Sequence, residues 1–111
     1  MDDCIFCKII KGEIPCRKVY EDESVLAFDD IHPMAPVHVV IIPKRHLATL
    51  LDVGEDTLPV VDAMIRVAQE VARRKGIAKR GFRTEINCTE EGGQVLFHLH
   101  MHLRGGGKLA D

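Results

Sequence analysis

The sequence predicts an antiparallel α+β domain with about five strands, one long helix and one short helix. Short apolar or alternating segments bounded by turn residues recur along the chain, which is typical of strands joined by short connections. Only one stretch has helical periodicity over several turns. The 111 residues, of which 46% are hydrophobic, are the usual size of one domain, so we expect a single domain over residues 1–111.

The strands and the short helix can be placed in chain order. Residues 4–10 are apolar and fit one or two helical turns within a cysteine-bearing N-terminal segment, residues 1–15. The run from Val37 to Ile42 is the most β-branched of the chain, which predicts a central strand. Three glycines follow the last strand, so residues 105–111 are expected to form a short C-terminal tail. The predicted strands are 17–20, 25–28, 37–42, 81–87 and 97–103.

The long helix is predicted between Pro59, which is tolerated in a first helical turn, and Gly76, a favourable residue just after a helix end. Opposite charges four residues apart stabilise its polar side. Its apolar stripe is expected to be core or dimer surface and consists of Val61, Met64, Ile65, Ala68, Val71 and Ala72.

Composition excludes several classes of function. The net charge of −2 argues against nucleic-acid binding, which needs a clustered basic face, and a solvated surface explains the basic residues between positions 73 and 83. No apolar run reaches the length of a membrane span, and no signal peptide opens the chain. We therefore expect a cytoplasmic protein without nucleic-acid or membrane partners.

Three of the six histidines alternate with apolar residues near the C-terminus. On a strand, His98, His100 and His102 would line one face at Cα spacings of roughly 7 Å. The opposite face would bury an apolar stripe made of Val95, Phe97, Leu99, Met101 and Leu103. Three histidines in strict alternation indicate a strand that carries chemistry.

Two kinds of chemistry fit this histidine row. His100 is a candidate nucleophile, since His98 and His102 flank it and the turn Gly92-Gly93-Gln94 can present N–H groups to an anion. Alternatively, three histidines could hold a catalytic zinc ion, with further ligands available at Cys4, Cys7, His38 and His46. The chain lacks the acidic helper of an H-E-x-x-H motif, which disfavours the zinc hydrolase.

The cysteines leave a separate choice open. In a reducing compartment, the pair Cys4-x-x-Cys7 is either a metal or redox site, or two packed thiols at a helix start. Cys16 and Cys88 belong to no motif and are expected to be packing residues.

The run His98-Leu-His100-Met-His102-Leu resembles the motif of the histidine-triad family. Other matching segments follow in the order of the Hint branch, among them Cys4-Ile-Phe-Cys7, Pro36-Val-His38, Pro43-Lys-Arg-His46 and Gly92-Gly-Gln94. The resemblance implies the fold of that family and a homodimer. It also implies hydrolysis of purine nucleoside phosphoramidates, of AMP or GMP type, at the α-phosphorus through a nucleotidyl-histidine.

The resemblance also implies residue roles. His100 would be the nucleophile, His102 would bind phosphate oxygen or help the leaving group, and His38 would support the triad. The nucleotide-binding set would be Asp30 for the ribose hydroxyls, Phe28 and Ile31 for the base, and Asn87, Gly93 and Gln94 for the phosphate. Val95 stands where several relatives have serine, so only its backbone could contribute.

Some relatives hold a structural zinc ion through a set that Cys4, Cys7, His46 and His98 match. Such a closed site leaves His100 free, and the chemistry itself would require no metal. Two alternative functions remain: a dinucleoside polyphosphate hydrolase of the Fhit type, and a nucleotide- or zinc-binding interaction protein. The chain also has no tryptophan, so the tryptophan-bearing tail of some relatives is missing.

Overall fold

The computed structural model describes residues 3–110 and has the predicted antiparallel architecture. Its helices are α1 (Ile5–Ile10) and α2 (Leu58–Arg74), and its strands are β1 (Lys18–Glu21), β2 (Val25–Asp29), β3 (Val37–Pro43), β4 (Phe82–Glu85) and β5 (Met101–Gly105). The five strands form one antiparallel sheet in the order β1-β2-β3-β5-β4. Two short 3₁₀ turns, Leu50–Asp52 and Glu55–Thr57, precede α2. No helix of the described residues is long and apolar enough to cross a membrane; the cytoplasmic location stays a prediction.

The sheet has a helix on each face. Alternate side chains of β2, β3 and β5 pack against α2, and the other face of β2 and β3 packs against Phe6 and Ile9 of α1. Because β2 and β3 are buried on both faces, they read as continuous apolar runs. The buried side of α2 consists of Met64, Val67, Ala68, Val71 and Ala72. Ile65, predicted for this stripe, is instead 49% exposed.

The end of α2 confirms the role predicted for Gly76. Gly76 has a φ of +73°, which only glycine adopts without strain. Its N–H donates to the carbonyl of Arg73 (3.1 Å), and the Ile77 N–H donates to that of Ala72 (3.0 Å). These two bonds form a Schellman motif that turns the chain towards β4.

The prediction of a strand over 97–103 is wrong at its start, because β5 begins only at Met101. Ile41 pairs with Met101, so the same register would place Pro43 opposite Leu99. Pro43 has no N–H to donate, and its carbonyl accepts from the His98 ring (2.8 Å). The Leu99 N–H therefore donates to the Leu47 carbonyl (2.6 Å) instead of to β3. Val95 and Phe97, predicted to be buried, are 83% and 49% exposed.

The folded part also extends further than predicted at the C-terminus. Gly105 belongs to β5 and pairs with Val37 and Phe82, where a Cβ would lie 2.7 Å from the Ile77 side chain. The Arg83 side chain donates to the carbonyl of Ala110 (2.7 Å) and fastens the last residues to β4.

Candidate functional site

The three histidines of the triad lie on the sheet face that carries α1. The ring centroids of His100 and His102 are 5.1 Å apart, and Phe6 of α1 contacts both His98 and His100. The predicted alternation is therefore confirmed, although only His102 belongs to a regular strand. The three side chains share one face although residues 96–98 form a bend and β5 begins only at Met101.

A cleft of about 430 Å³ opens beside this row. One part is apolar and is formed by α1, the following loop and β2, whereas another part carries Asn87, Gly93, His100 and His102. Eight of the residues predicted for nucleotide binding line it: Phe28, Asp30, Ile31, Asn87, Gly93, Val95, His100 and His102. Sequence reasoning missed the apolar wall of the cleft, although the apolar residues of the short helix could have indicated it. This wall consists of Ile5, Phe6, Ile9, Ile14 and Cys16. A cavity of similar size, about 450 Å³, lies at the end of α2 and contains two exposed cations, Arg80 and Lys108, but no histidine, cysteine or carboxylate among the residues that line it.

Hydrogen bonding fixes the tautomer of His100. Its Nδ1 lies 2.7 Å from the carbonyl oxygen of His98, which can only accept a hydrogen bond. In the neutral ring Nδ1 therefore carries the proton, and Nε2 keeps its lone pair. His100 is 8% exposed, and it lines the cleft. This arrangement suits a nucleophilic nitrogen.

A chain of hydrogen bonds fixes His102 in the opposite tautomer. The N–H of Met34 donates to His38 Nδ1 (3.0 Å), so the proton of neutral His38 is on Nε2. That N–H donates to Nδ1 of His102 (2.9 Å), which leaves the His102 proton on Nε2. Asp30 Oδ2 lies 3.4 Å from His38 Nε2. Within residues 3–110, Nε2 of His100 and Nε2 of His102 have no hydrogen-bond partner, so the cleft contains one ring with an available lone pair and one ring with an available N–H donor.

Burial keeps the imidazole rings of His38 and His102 neutral. It lowers the pKa of His38, and the nearby Arg104 lowers it further, against the opposing effect of Asp30. Burial also lowers the pKa of His102 to about 4, and the neighbouring His100, His38 and Arg104 act in the same direction. Near neutral pH the assigned tautomers therefore hold.

The turn before the triad is built around two glycines. A Cβ on Gly92 would collide with the backbone oxygen of Cys88, and Gly93 has a φ of +81°. The Asn87 side chain donates to the Gly92 carbonyl (2.8 Å). Gln94 is buried, and its amide accepts from Thr89 N–H (2.9 Å) and donates to the carbonyls of Ala48 and Leu96 (2.8 and 3.0 Å). The Gln94 side chain therefore holds the turn and does not line the cleft.

Cys4, Cys7, His46 and His98 come together beside the cleft, with their ligand atoms within 4.8 Å of one another. Because Nε2 of His98 donates to Pro43, Nδ1 keeps the lone pair that faces Cys4 and Cys7 (3.3 and 3.6 Å to sulfur). His46 Nδ1 lies 3.3 Å from the Cys7 sulfur. A tetrahedral zinc ion with ordinary bond lengths has N–S edges of roughly 3.5 Å, so the residues fit this metal.

A second group of potential ligands, Asp30, His38 and His102, does not fit a metal ion. The facing nitrogens of His38 and His102 share one hydrogen bond, so neither offers a free lone pair. The set His98, His100 and His102, which could have held a catalytic zinc ion, is not brought together within the described residues 3–110. The geometry thus favours histidine nucleophile chemistry beside a cysteine–histidine cluster that could hold a metal ion.

Comparison with known proteins adds a family. The family model described as the scavenger mRNA decapping enzyme C-terminal binding domain matches residues 3–107. The chain is 45% identical over 105 residues to the purine nucleoside phosphoramidase of Escherichia coli K12, covering 95% of this chain and 88% of that protein. It is 44% identical over 105 residues to Protein HitA of Neisseria gonorrhoeae, covering 95% and 97%.

Solved structures agree with these relatives. A histidine triad protein from Clostridium difficile superposes with a TM-score of 0.97 at 45% identity, covering 100% of this chain and 96% of that chain. A HIT family hydrolase from Legionella pneumophila superposes with a TM-score of 0.95 at 42% identity, covering 97% and 96%.

Proposed function

The chain belongs to the histidine-triad family of nucleotide hydrolases, and from this premise we propose that it hydrolyses purine nucleoside phosphoramidates through a nucleotidyl-His100 intermediate. The observation that carries the proposal is the bond from His100 Nδ1 to the His98 carbonyl, which leaves Nε2 as a nucleophile in the cleft. The name of the Escherichia coli relative, purine nucleoside phosphoramidase, supports the substrate class.

The reaction has two displacements at the α-phosphorus. In the first, Nε2 of His100 forms a bond to phosphorus while the phosphorus–amine bond breaks, and the amine leaves with the electron pair and takes a proton from water. In the second, a water oxygen attacks phosphorus, Nε2 recovers its lone pair and the water proton passes to solvent. The N–H of His102 stabilises the charge on the phosphoryl oxygens in both steps. His38 is a positioning residue that keeps this N–H in place.

The remaining cleft residues would bind the nucleotide. Asp30 provides a carboxylate for the ribose diol, Phe28 and Ile31 provide apolar contact for the base, and Asn87 and the Gly93 backbone lie at the phosphate end. Val95 is 83% exposed and offers only its backbone to the phosphate or the leaving group. Gln94 acts indirectly by holding the turn.

The cluster Cys4, Cys7, His46 and His98 would hold a structural zinc ion. Bound zinc would supply a cross-link between the N-terminal helix and the triad segment, with no open coordination position. His98 would thereby act as a ligand through its ring and as a hydrogen-bond acceptor for His100 through its backbone.

We also propose that the protein is a homodimer that pairs through β4. All four residues of this edge strand are exposed, which leaves backbone groups available for a second copy. Phe82 on this strand is 38% exposed, so β4 also offers apolar surface to a partner. Sedimentation velocity tests this proposal: the wild type should sediment as a dimer and Phe82→Glu should shift it towards monomer, whereas a monomeric wild type would contradict the proposal.

The test of the reaction is mass spectrometry of protein quenched during turnover of adenosine 5′-monophosphoramidate. An acid-labile adenylyl adduct on His100 is expected in the wild type, and both adduct and turnover should disappear in His100→Asn. His32→Asn is the matched control, because His32 is exposed and does not line the cleft. Turnover in His100→Asn, or no adduct in active wild type, would contradict the proposal. Faster turnover of a diadenosine polyphosphate would favour the Fhit-type alternative.

A further inference from the structure

Phe6 lies at the junction of the cleft, the triad and the cysteine pair. Its ring is 7% exposed and packs edge-to-face against His98, His100 and Phe28, at centroid distances of 5.7, 5.1 and 5.9 Å. The contact with His100 has an interplanar angle of 75°. Phe6 thus touches the nucleophile as well as the apolar wall of the cleft.

One hydrogen bond does not fix an imidazole ring. The bond from Nδ1 to the His98 carbonyl sets the position of one edge of His100. The ring torsion of histidine is broad, so the ring can still tilt about this bond and move Nε2 on the opposite edge. A packed aromatic neighbour restricts this tilt, and Phe6 is in the position to do so. An error of about 1 Å in the position of a reacting atom can cost as much as about 100-fold in rate.

Phe6 itself needs support, because it lies on a helix of only six residues. A helix of this length is not stable by itself in water. Cys4 caps the helix by accepting from the Cys7 N–H (3.3 Å), and the sulfurs of both cysteines face His98. Phe6 is therefore held between two side chains that are tied to the triad segment.

We propose that Phe6 is a positioning residue for the nucleophile His100, and that the cysteine pair acts on the reaction by fixing Phe6. This inference rests on the proposed function and deepens it. It assigns the closed metal cluster an effect on catalysis without any contact between the metal and the substrate. If Phe6 were only part of the base-binding wall, its loss would weaken nucleotide binding and leave the catalytic step unchanged.

The test compares Phe6→Leu with Ile10→Val, a matched control on the same helix that does not line the cleft. Steady-state kinetics with adenosine 5′-monophosphoramidate, calorimetric affinity for AMP and zinc per chain are measured for both. We expect Phe6→Leu to lower kcat at least fivefold while the Kd for AMP changes less than twofold and the zinc content is kept. A raised Kd with unchanged kcat would overturn the proposal.

Nitrogen-15 NMR of the His100 ring gives a readout that does not depend on turnover. In wild type and Ile10→Val we expect narrow ring signals from a rigid imidazole protonated at Nδ1, and in Phe6→Leu the same tautomer with signals broadened by ring motion. The ring signals of the folded, chelator-treated wild type should broaden in the same way as those of Phe6→Leu. Identical His100 spectra in all these samples would overturn the proposal. If the wild type has no phosphoramidase activity the proposed function fails, while the spectra still decide the role of Phe6.

Discussion

Stability should fall on acidification because of His102. Burial holds the pKa of His102 at about 4 in the folded protein, against an ordinary value of 6.5 that applies to the unfolded chain. Between these values the unfolded chain binds a proton that the folded protein does not bind, so the free energy of unfolding decreases as the pH falls. The contribution is fully present above pH 6.5 and is lost as the pH approaches 4. From neutral pH to pH 5 the loss is about 2 kcal/mol, at roughly 1.4 kcal/mol per unit.

The assay is urea unfolding at pH 7.5 and pH 5, at fixed protein concentration, for the wild type and His102→Asn. Asparagine keeps an acceptor for the His38 N–H and removes the titrating group. Burial also lowers the pKa values of His38 and His98, which gives a pH dependence of the same sign in both proteins. Chelator and reductant in every sample keep the cysteine cluster in the same state.

Between pH 7.5 and pH 5, the free energy of unfolding of the wild type should therefore fall by about 2 kcal/mol more than that of His102→Asn. A difference that stays constant would mean that His102 titrates alike in the folded and unfolded states. That result would contradict the tautomers assigned to His38 and His102, because the assignment requires a neutral His102.

Three further predictions concern the turn and the cysteine cluster. Gly92→Ala should lower kcat at least tenfold, because its Cβ collides with the Cys88 backbone; the control Gly107→Ala, whose Cβ meets only Pro36 at 3.8 Å or more, should keep wild-type kinetics. Thr89→Asn should raise the free energy of unfolding by about 0.5–1 kcal/mol in urea titrations, since Thr89 has a φ of +56° that asparagine tolerates better; a loss of stability would contradict this. Cys7→Ser should reduce the zinc content measured by elemental analysis well below one per chain, whereas Cys88→Ser should keep it.

The parts of the fold that local chemistry decides were predictable from the sequence. The central strand predicted from the β-branched run is confirmed as β3, because a strand buried on both faces needs apolar residues at every position. The end of α2 at Gly76 is confirmed because a positive φ favours glycine. The alternation of the triad is likewise confirmed in the contacts of His98, His100 and Phe6.

The parts that depend on a partner far along the chain were not predictable. The start of β5 depends on Pro43, which lies opposite the triad only because of the strand order. The same holds for Gln94, whose three hydrogen bonds go to the backbone of its own turn and of Ala48. A glutamine after two glycines reads as a phosphate-binding residue until the location of its amide is known.

His98 shows why identical residues in one motif perform different tasks. Its Nε2 donates to Pro43, its Nδ1 faces the cysteines, and its backbone oxygen accepts from His100. Because the β3–β5 pairing ends before Pro43, the Pro43 carbonyl accepts from His98 Nε2, and this bond fixes the tautomer whose Nδ1 could bind a metal ion. The His98 carbonyl holds the proton of His100 on Nδ1, which leaves Nε2 unprotonated for the proposed nucleophilic role. Under the proposed function, a proline at the end of β3 thus separates a metal-binding histidine from a catalytic one, two positions apart in the sequence.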